Sequence, residues 1–195
     1  MLASLCPTHV HLTTTRRFDA PLEEYCKRIA AGEESVEQLV AAGRAQFRCA
    51  GPWDTTICLT HALRQTINAK TNAREFREKH PKEFCQILGR DGPMTIWPGQ
   101  RLIGAGWNPK VSNCSSVVVK RAGPDSIELQ GGVSLTTAEA RKCLRLSQAI
   151  TIDASQSKTL TGTIRVLECG HQHMTHARLL VAASRATSRD LLAIQ

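Results

Sequence analysis

Aromatic side chains are scarce. Three Trp, one Tyr and four Phe make up 4% of the 195 residues. A sheet that reads RNA by stacking bases on rows of aromatics is a poor match to that composition. No two of the eight cysteines, at 6, 26, 49, 58, 85, 114, 143 and 169, form a CxxC pair. They sit singly inside apolar stretches, as buried reduced thiols do, so no disulfide framework is expected. No apolar run is long enough to cross a membrane. The opening MLASLCPTHVHL has neither a basic leader nor a long apolar run. We therefore expect a reducing compartment, cytoplasmic or nuclear, in a cellular or a viral source. Nowhere does GxxxxGK[ST] occur, and no strand-like run ends in an acidic pair suited to Mg²⁺. Phosphoryl transfer needs that cradle, its lysine and the metal carboxylate, so the chain alone is not expected to hydrolyse a nucleoside triphosphate.

What is present suits one ordinary domain, or one domain with a small insertion. The hydrophobic fraction of 42% is enough for a real core, and the 22% of charged residues is ordinary. Lys and Arg number 25 against 17 Asp and Glu, a formal net charge of +8. Such a field favours polyanions, with nucleic acid the leading candidate; the plainer reading is a soluble basic protein.

Residues 19–32 carry the clearest helix signal. Asp19 can cap it, Pro21, Glu23 and Glu24 suit the first turn, Lys27 and Arg28 the last, and Gly32 the stop. Leu22, Tyr25, Cys26 and Ile29 form one apolar stripe. Ser35 with Gln38 makes a capping box for a second helix, with Val36, Leu39 and Val40 inward and Gly43 as its end. Residues 55–60 read as a buried strand, and a polar helix with Arg64, Asn68, Asn72 and Arg74 follows to about 79, where His80-Pro81 stops it. From 92 to 135 glycine and proline recur between the β-prone runs RLIGA, SVVVK and SIELQ, as in a small all-β insertion. Strands are then expected at 149–153, 161–168 and the terminal LLAIQ, with a helix at 175–187 presenting Ala177, Leu180, Val181 and Ser184. Strands alternating with helices imply an α/β fold with a mostly parallel sheet. The divisions expected are 1–91, the insertion 92–135, and 136–195.

Three segments could carry chemistry. Arg185 follows the small and apolar run VAAS, and its planar fork suits bidentate contact with phosphate. Alone it is better read as a surface arginine near a helix C-terminus, favoured by the dipole. AITIDASQSKTL (149–160) leaves a strand through hydroxyls, an amide and a lysine, in the kind of loop where parallel sheets bind ligands. Alone it is a polar connection. LTTTRR (12–17) sets Arg16 and Arg17 before a helix, or is a solvated basic pair.

Taken in order, LTTTRR (12–17), TTICLTHALRQTIN (55–68), AITIDASQSKTL (149–160) and LLVAASRATS (179–188) resemble the second motor domain of a superfamily-one DNA helicase, of the Pif/RecD-like branch. The resemblance spans residues 12–194. It implies a RecA-like, mostly parallel sheet flanked by helices, with a small all-β, barrel-like insertion. It implies that this is the C-terminal half of an ATP-dependent helicase, completed by a Walker-bearing domain that holds most of ATP and Mg²⁺. Arg185 matches the arginine finger, and Arg17 an earlier arginine aimed at the nucleotide; these are the implied catalytic residues. Arg16, Gln156 and Ser184 fall at nucleotide-contacting positions. Thr60, His61, Asn68, Thr151, Ser155, Lys158 and Thr159 fall where the family grips single-stranded DNA or links it to the nucleotide cleft.

The sequence also departs from that pattern. The family's histidine and lysine before Ser-Gln-Gly are Asp153 and Ala154, and its glycine is Ser157. A serine serves at 157 only where the backbone angle does not demand glycine. Two other readings stand beside the motor half. One is a non-enzymatic nucleic-acid-binding remnant. The other is a zinc-stabilised domain built on CGHQHMTH (169–176), although C-x-H-x-H-x-x-H is not a usual finger spacing and no metal site is expected.

Overall fold

The computed structural model describes residues 17–195, so Arg16 lies outside the described residues. Helix α1 runs Ala20–Ala31, with the Asp19 carboxylate accepting from Leu22 N and Gly32 closing it in the left-handed region. All four stripe residues, Leu22, Tyr25, Cys26 and Ile29, are buried. Helix α2 runs Val36–Gln46, and both halves of the Ser35–Gln38 capping box are made. Gly43 does not end α2. It lies inside the helix and buried, because a Cβ there would come within 2.8 Å of Ile194 Cδ1 and collide with the Tyr25 hydroxyl. Its glycine is a packing requirement, and Tyr25 Oη uses the room to donate to Leu39 O at 2.8 Å.

Four short parallel strands form the central sheet: β1 (Thr55–Cys58), β9 (Ala149–Thr151), β10 (Ile164–Val166) and β11 (Leu192–Ile194). Their order is β11–β10–β1–β9. Ile57 pairs with Val166 on one side and Ile150 on the other, and Val166 pairs with Ile194. These side chains form one buried cluster with α1, α2 and helix α6 (His176–Ala183). The strands are shorter than 55–60, 149–153 and 161–168. Thr60 is already an N-cap, and residues 152–155 form the one-turn helix α5 (Ile152–Ser155). Helix α6 stops at Ala183 instead of reaching 187, and its buried face is Leu179, Ala182 and Ala183. The stretch 179–183 is apolar throughout, so its periodicity could not fix the phase.

Between β1 and β9 the chain makes helix α3 (His61–Lys79), a hairpin of β2 (Cys85–Gly89) with β3 (Gly92–Ile96), and an antiparallel five-stranded sheet. The strands of that sheet are β4 (Arg101–Gly104), β5 (Ser116–Ala122), β6 (Ser126–Leu129), β7 (Ser134–Thr136) and β8 (Leu144–Leu146), with helix α4 (Thr137–Cys143) before the last. It has the order β7–β6–β5–β4–β8. It has its own buried cluster around Ile96, Leu102, Ile127, Leu129 and Leu135.

Helix α3 joins the two cores through polar groups. Arg64, Asn68 and Asn72, four residues apart, are its buried residues. Asn68 accepts from Ala149 N at 2.7 Å and donates to Ala149 O at 3.0 Å, which is how one residue of a neighbouring strand would pair. It thereby closes the open edge of β9. One turn on, Asn72 does the same to Thr95 of β3, at 2.9 and 2.8 Å. Arg64 grips Asp91, in the β2–β3 turn, through two bonds of 2.6 and 2.7 Å. Five of the seven described cysteines are buried; Cys49 and Cys114 are half-buried. Burial pushes Cys26 up to about 11 and Cys58 up to about 12, so both are thiols at neutral pH. Among the described residues no helix is long and apolar enough to cross a membrane.

Two outcomes follow for stability. Asn68→Ala orphans both groups of Ala149 at the strand edge and should cost about 1–3 kcal/mol in denaturant unfolding. The Arg64 guanidinium holds Asp91 below the usual carboxylate range. A group lowered in the fold contributes stability above its unfolded pKa, and that contribution fades as pH falls through the lowered value. Asp91→Asn should therefore flatten the acid limb of stability against pH, below about pH 4, as read by thermal melts.

Candidate nucleotide and nucleic-acid surface

In a parallel sheet, ligand-binding loops leave the carboxyl ends of the strands. Here β9 ends at Thr151, whose hydroxyl caps α5 by accepting from Ala154 N. Ser155, Gln156, Ser157 and Lys158 then make a tight turn, closed by Lys158 N donating to Ser155 O at 3.1 Å. Gln156 has φ −55° and ψ 140°, and Ser157 has φ +63°. That is a type II turn, whose third position calls for glycine because φ is positive there. The departure at 157 thus falls on a backbone that favours the residue it lacks. Ser155 is buried and its hydroxyl donates to Ile152 O at 2.6 Å. Gln156 and Thr159 are exposed.

Arg185 is built against this turn. It lies beyond the end of α6, only 8% exposed. Its Nε donates to Val181 O at 2.9 Å, closing an open carbonyl of its own helix. Nη1 donates to Ser155 O and Lys158 O, at 3.3 and 2.7 Å, and Nη2 to Ser184 Oγ at 2.8 Å. The fork therefore holds both ends of the type II turn. Arg17, which is exposed, donates to the same Lys158 O at 3.2 Å. Desolvation, and then the charge of Arg17, lower the Arg185 pKa from its ordinary value, although a guanidinium stays charged across the physiological range.

Lys158 also faces the other way. Its Nζ donates to Cys114 O at 2.7 Å, across to the loop between β4 and β5. A cleft of about 580 Å³ opens there, lined by Arg101, Ser116, Ser147, Lys158 and Thr159 among others. Arg17, Ser184, Arg185, Ser155 and Lys158 are thus brought together, with Gln156 and Thr159 in the same turn and its exit. Thr60, His61 and Asn68 lie apart, on α3. Thr60 caps α3, His61 is exposed at its first turn, and both ends of the Asn68 amide are spent on backbone.

One residue had no local signal in the sequence. Glu168, at φ +61°, accepts from Thr60 N at 2.8 Å and Thr60 Oγ1 at 2.7 Å, a pairing across 108 positions. The residues of the CGHQHMTH segment are dispersed. Burial raises the Cys169 thiol to about 11, and its Sγ donates to Val166 O at 3.7 Å. The His171 and His173 rings lie tilted at 45° with centroids 5.1 Å apart, while His176 Nε2 meets Glu34 O at 2.8 Å. Among the described residues no three His, Cys, Asp or Glu side chains converge as metal ligands.

No protein-family model matches the sequence, and no curated protein matches it. Solved structures do match. A Bacteroides Pif1 bound to ssDNA superposes with a TM-score of 0.65 at 16% identity, over 94% of this chain and 51% of that one. A Pif1 helicase from Candida albicans gives a TM-score of 0.58 at 12% identity, over 90% of this chain and 52% of that one. The chain shares the fold of these two structures, a RecA-like parallel sheet flanked by helices. The chain spans about half the length of these two neighbours.

Ser157→Gly relieves the left-handed strain in the turn that Arg185 clamps. It should raise the unfolding free energy by about 0.5–1 kcal/mol, the left-handed penalty less the added entropy of glycine. A value at or below wild type would show that the turn adopts another backbone in solution.

Proposed function

We propose that this chain is the second motor half of an ATP-dependent DNA helicase, working with a Walker-bearing domain that faces it. The observation that supports the reading is the convergence of Arg17 and Arg185 on one carbonyl, Lys158 O. The same residue's side chain reaches the β insertion. ATP and Mg²⁺, held mainly by the facing domain, supply the phosphoryl-transfer chemistry when bound.

The residues of this chain would act as follows. Arg17 is the exposed guanidinium and meets phosphate first. Arg185, braced by Val181 O and Ser184 Oγ, exchanges turn carbonyls for phosphate oxygens as the facing domain closes. Each offers fixed positive charge where negative charge develops. Release of the Ser155 and Lys158 carbonyls frees the turn, and Lys158 transmits its movement to the cleft where Thr159 and Arg101 take a single strand. Gln156 stands at the turn's exposed corner, between the two sides.

A second reading is a nucleic-acid-binding module without ATPase activity. It is favoured by one observation, that Arg185 makes four hydrogen bonds to this chain's own groups, from the five N–H donors of a guanidinium. The two separate in the complete motor purified with its Walker-bearing part. Arg17→Ala and Arg185→Lys should each lower DNA-stimulated ATP hydrolysis about a hundredfold or more, with single-strand affinity unchanged. Arg17 is exposed, so its variant tests the reading even where Arg185→Lys unfolds. Unchanged hydrolysis in Arg17→Ala, or no hydrolysis by the wild-type assembly, would overturn the motor reading.

A further inference from the structure

Trp107 is 93% exposed, more than any other large apolar side chain described. The exposed Leu88 shares its hollow, and an apolar patch rimmed by polar groups marks an interaction site. Here the rim is cationic. Arg90 comes from the β2–β3 turn, Gly106 from the same loop as Trp107, and Arg141 and Lys142 from α4. With the exposed Leu88 they line a shallow hollow of about 490 Å³. Three cations line it and no carboxylate does. None of the three makes an ion pair with a described residue. The nearby acids are committed elsewhere, Asp91 to Arg64 and Glu139 to Lys110.

The loop that carries the indole is fixed rather than loose. Ala105 N donates to Cys143 O at 2.8 Å, Gly106 N to Asn113 Oδ1 at 3.1 Å, and Cys114 N to Gly104 O at 2.9 Å. Gly106, at φ +81°, leaves room for the Arg90 guanidinium, which would lie 2.7 Å from a Cβ at that position. A side chain there would have to displace that guanidinium from the hollow.

We propose that Trp107, with Arg90, Arg141 and Lys142, is a base-stacking site for single-stranded nucleic acid, on the β insertion and distinct from the Lys158 cleft. A flat indole accepts the face of any base, and cations at its rim take the flanking phosphates. A duplex hides its base faces and cannot use the ring. The site rests on the proposed function only for the choice of single strand as ligand. Its residues are not those of the Arg17–Arg185 pair.

The test uses the whole chain and a dT oligomer of about 12 nucleotides, followed by fluorescence anisotropy at several salt concentrations. Trp107→Ala should weaken binding about tenfold or more, and Trp107→Phe should keep most of the affinity. Replacing Arg90, Arg141 and Lys142 together by Ala should reduce the log–log salt slope by about 2. Thermal melts should match wild type, since the side chains are exposed. Binding by Trp107→Ala within twofold of wild type overturns the site. If Lys158→Ala then abolishes binding, the cleft reading survives without it. If Trp107→Ala alone abolishes binding and Lys158→Ala is silent, the stacking site stands and the cleft track falls.

Discussion

The attachment of the β insertion to the parallel sheet depends on the buried polar face of α3. The two cores are separate apolar clusters, and only Ile103 of the insertion joins the cluster of the sheet. What locks them together is directional. Asn68 completes the edge of β9, Asn72 completes the edge of β3, and Arg64 holds Asp91 in the intervening turn. Spacing by four residues puts all three on one side of the helix. Such bonds have sharp geometric tolerances, so the insertion sits at one angle and not in a range of sliding positions. An apolar seam of equal area would have permitted slippage.

That fixed angle matters because the turn at 155–158 spans both parts. Its carbonyls belong to the arginine side and its lysine to the insertion side. The geometry ties together groups 27 residues apart, Lys158 and Arg185, and 44 residues apart, Cys114 and Lys158. One four-residue turn thus carries bonds to both parts of the molecule.

Much of the architecture was legible in the sequence, where local rules act alone. Asp19, Pro21 and Gly32 bounded α1, Ser35 and Gln38 opened α2, and His80-Pro81 closed α3. The parallel sheet followed from alternation, and the resemblance in motif order agrees with the fold of the structural neighbours. What was not legible arises from distant pairing. Gly43 looked like a stop because its true reason, Tyr25 across the helix pair, is invisible in one dimension. Asn68 falls at a DNA-gripping position of the motif, whereas its amide pairs with a strand edge. The spacing of Arg64, Asn68 and Asn72 was the available clue, since a helix with polar residues on its inner face needs polar partners. Trp107 carried no signal, because exposure is a property of the assembled surface.

Glu168 gives the start of α3 a particular character. The first turn of a helix presents open N–H groups and partial positive charge, a ready seat for phosphate. Here the seat is taken by a carboxylate of the chain itself, bonded to Thr60 N and Oγ1. An anion arriving at this end of α3 meets a carboxylate instead of open N–H groups. The same carboxylate ties the exit of β10 to the start of α3, so the two central strands of the sheet end on one shared cap.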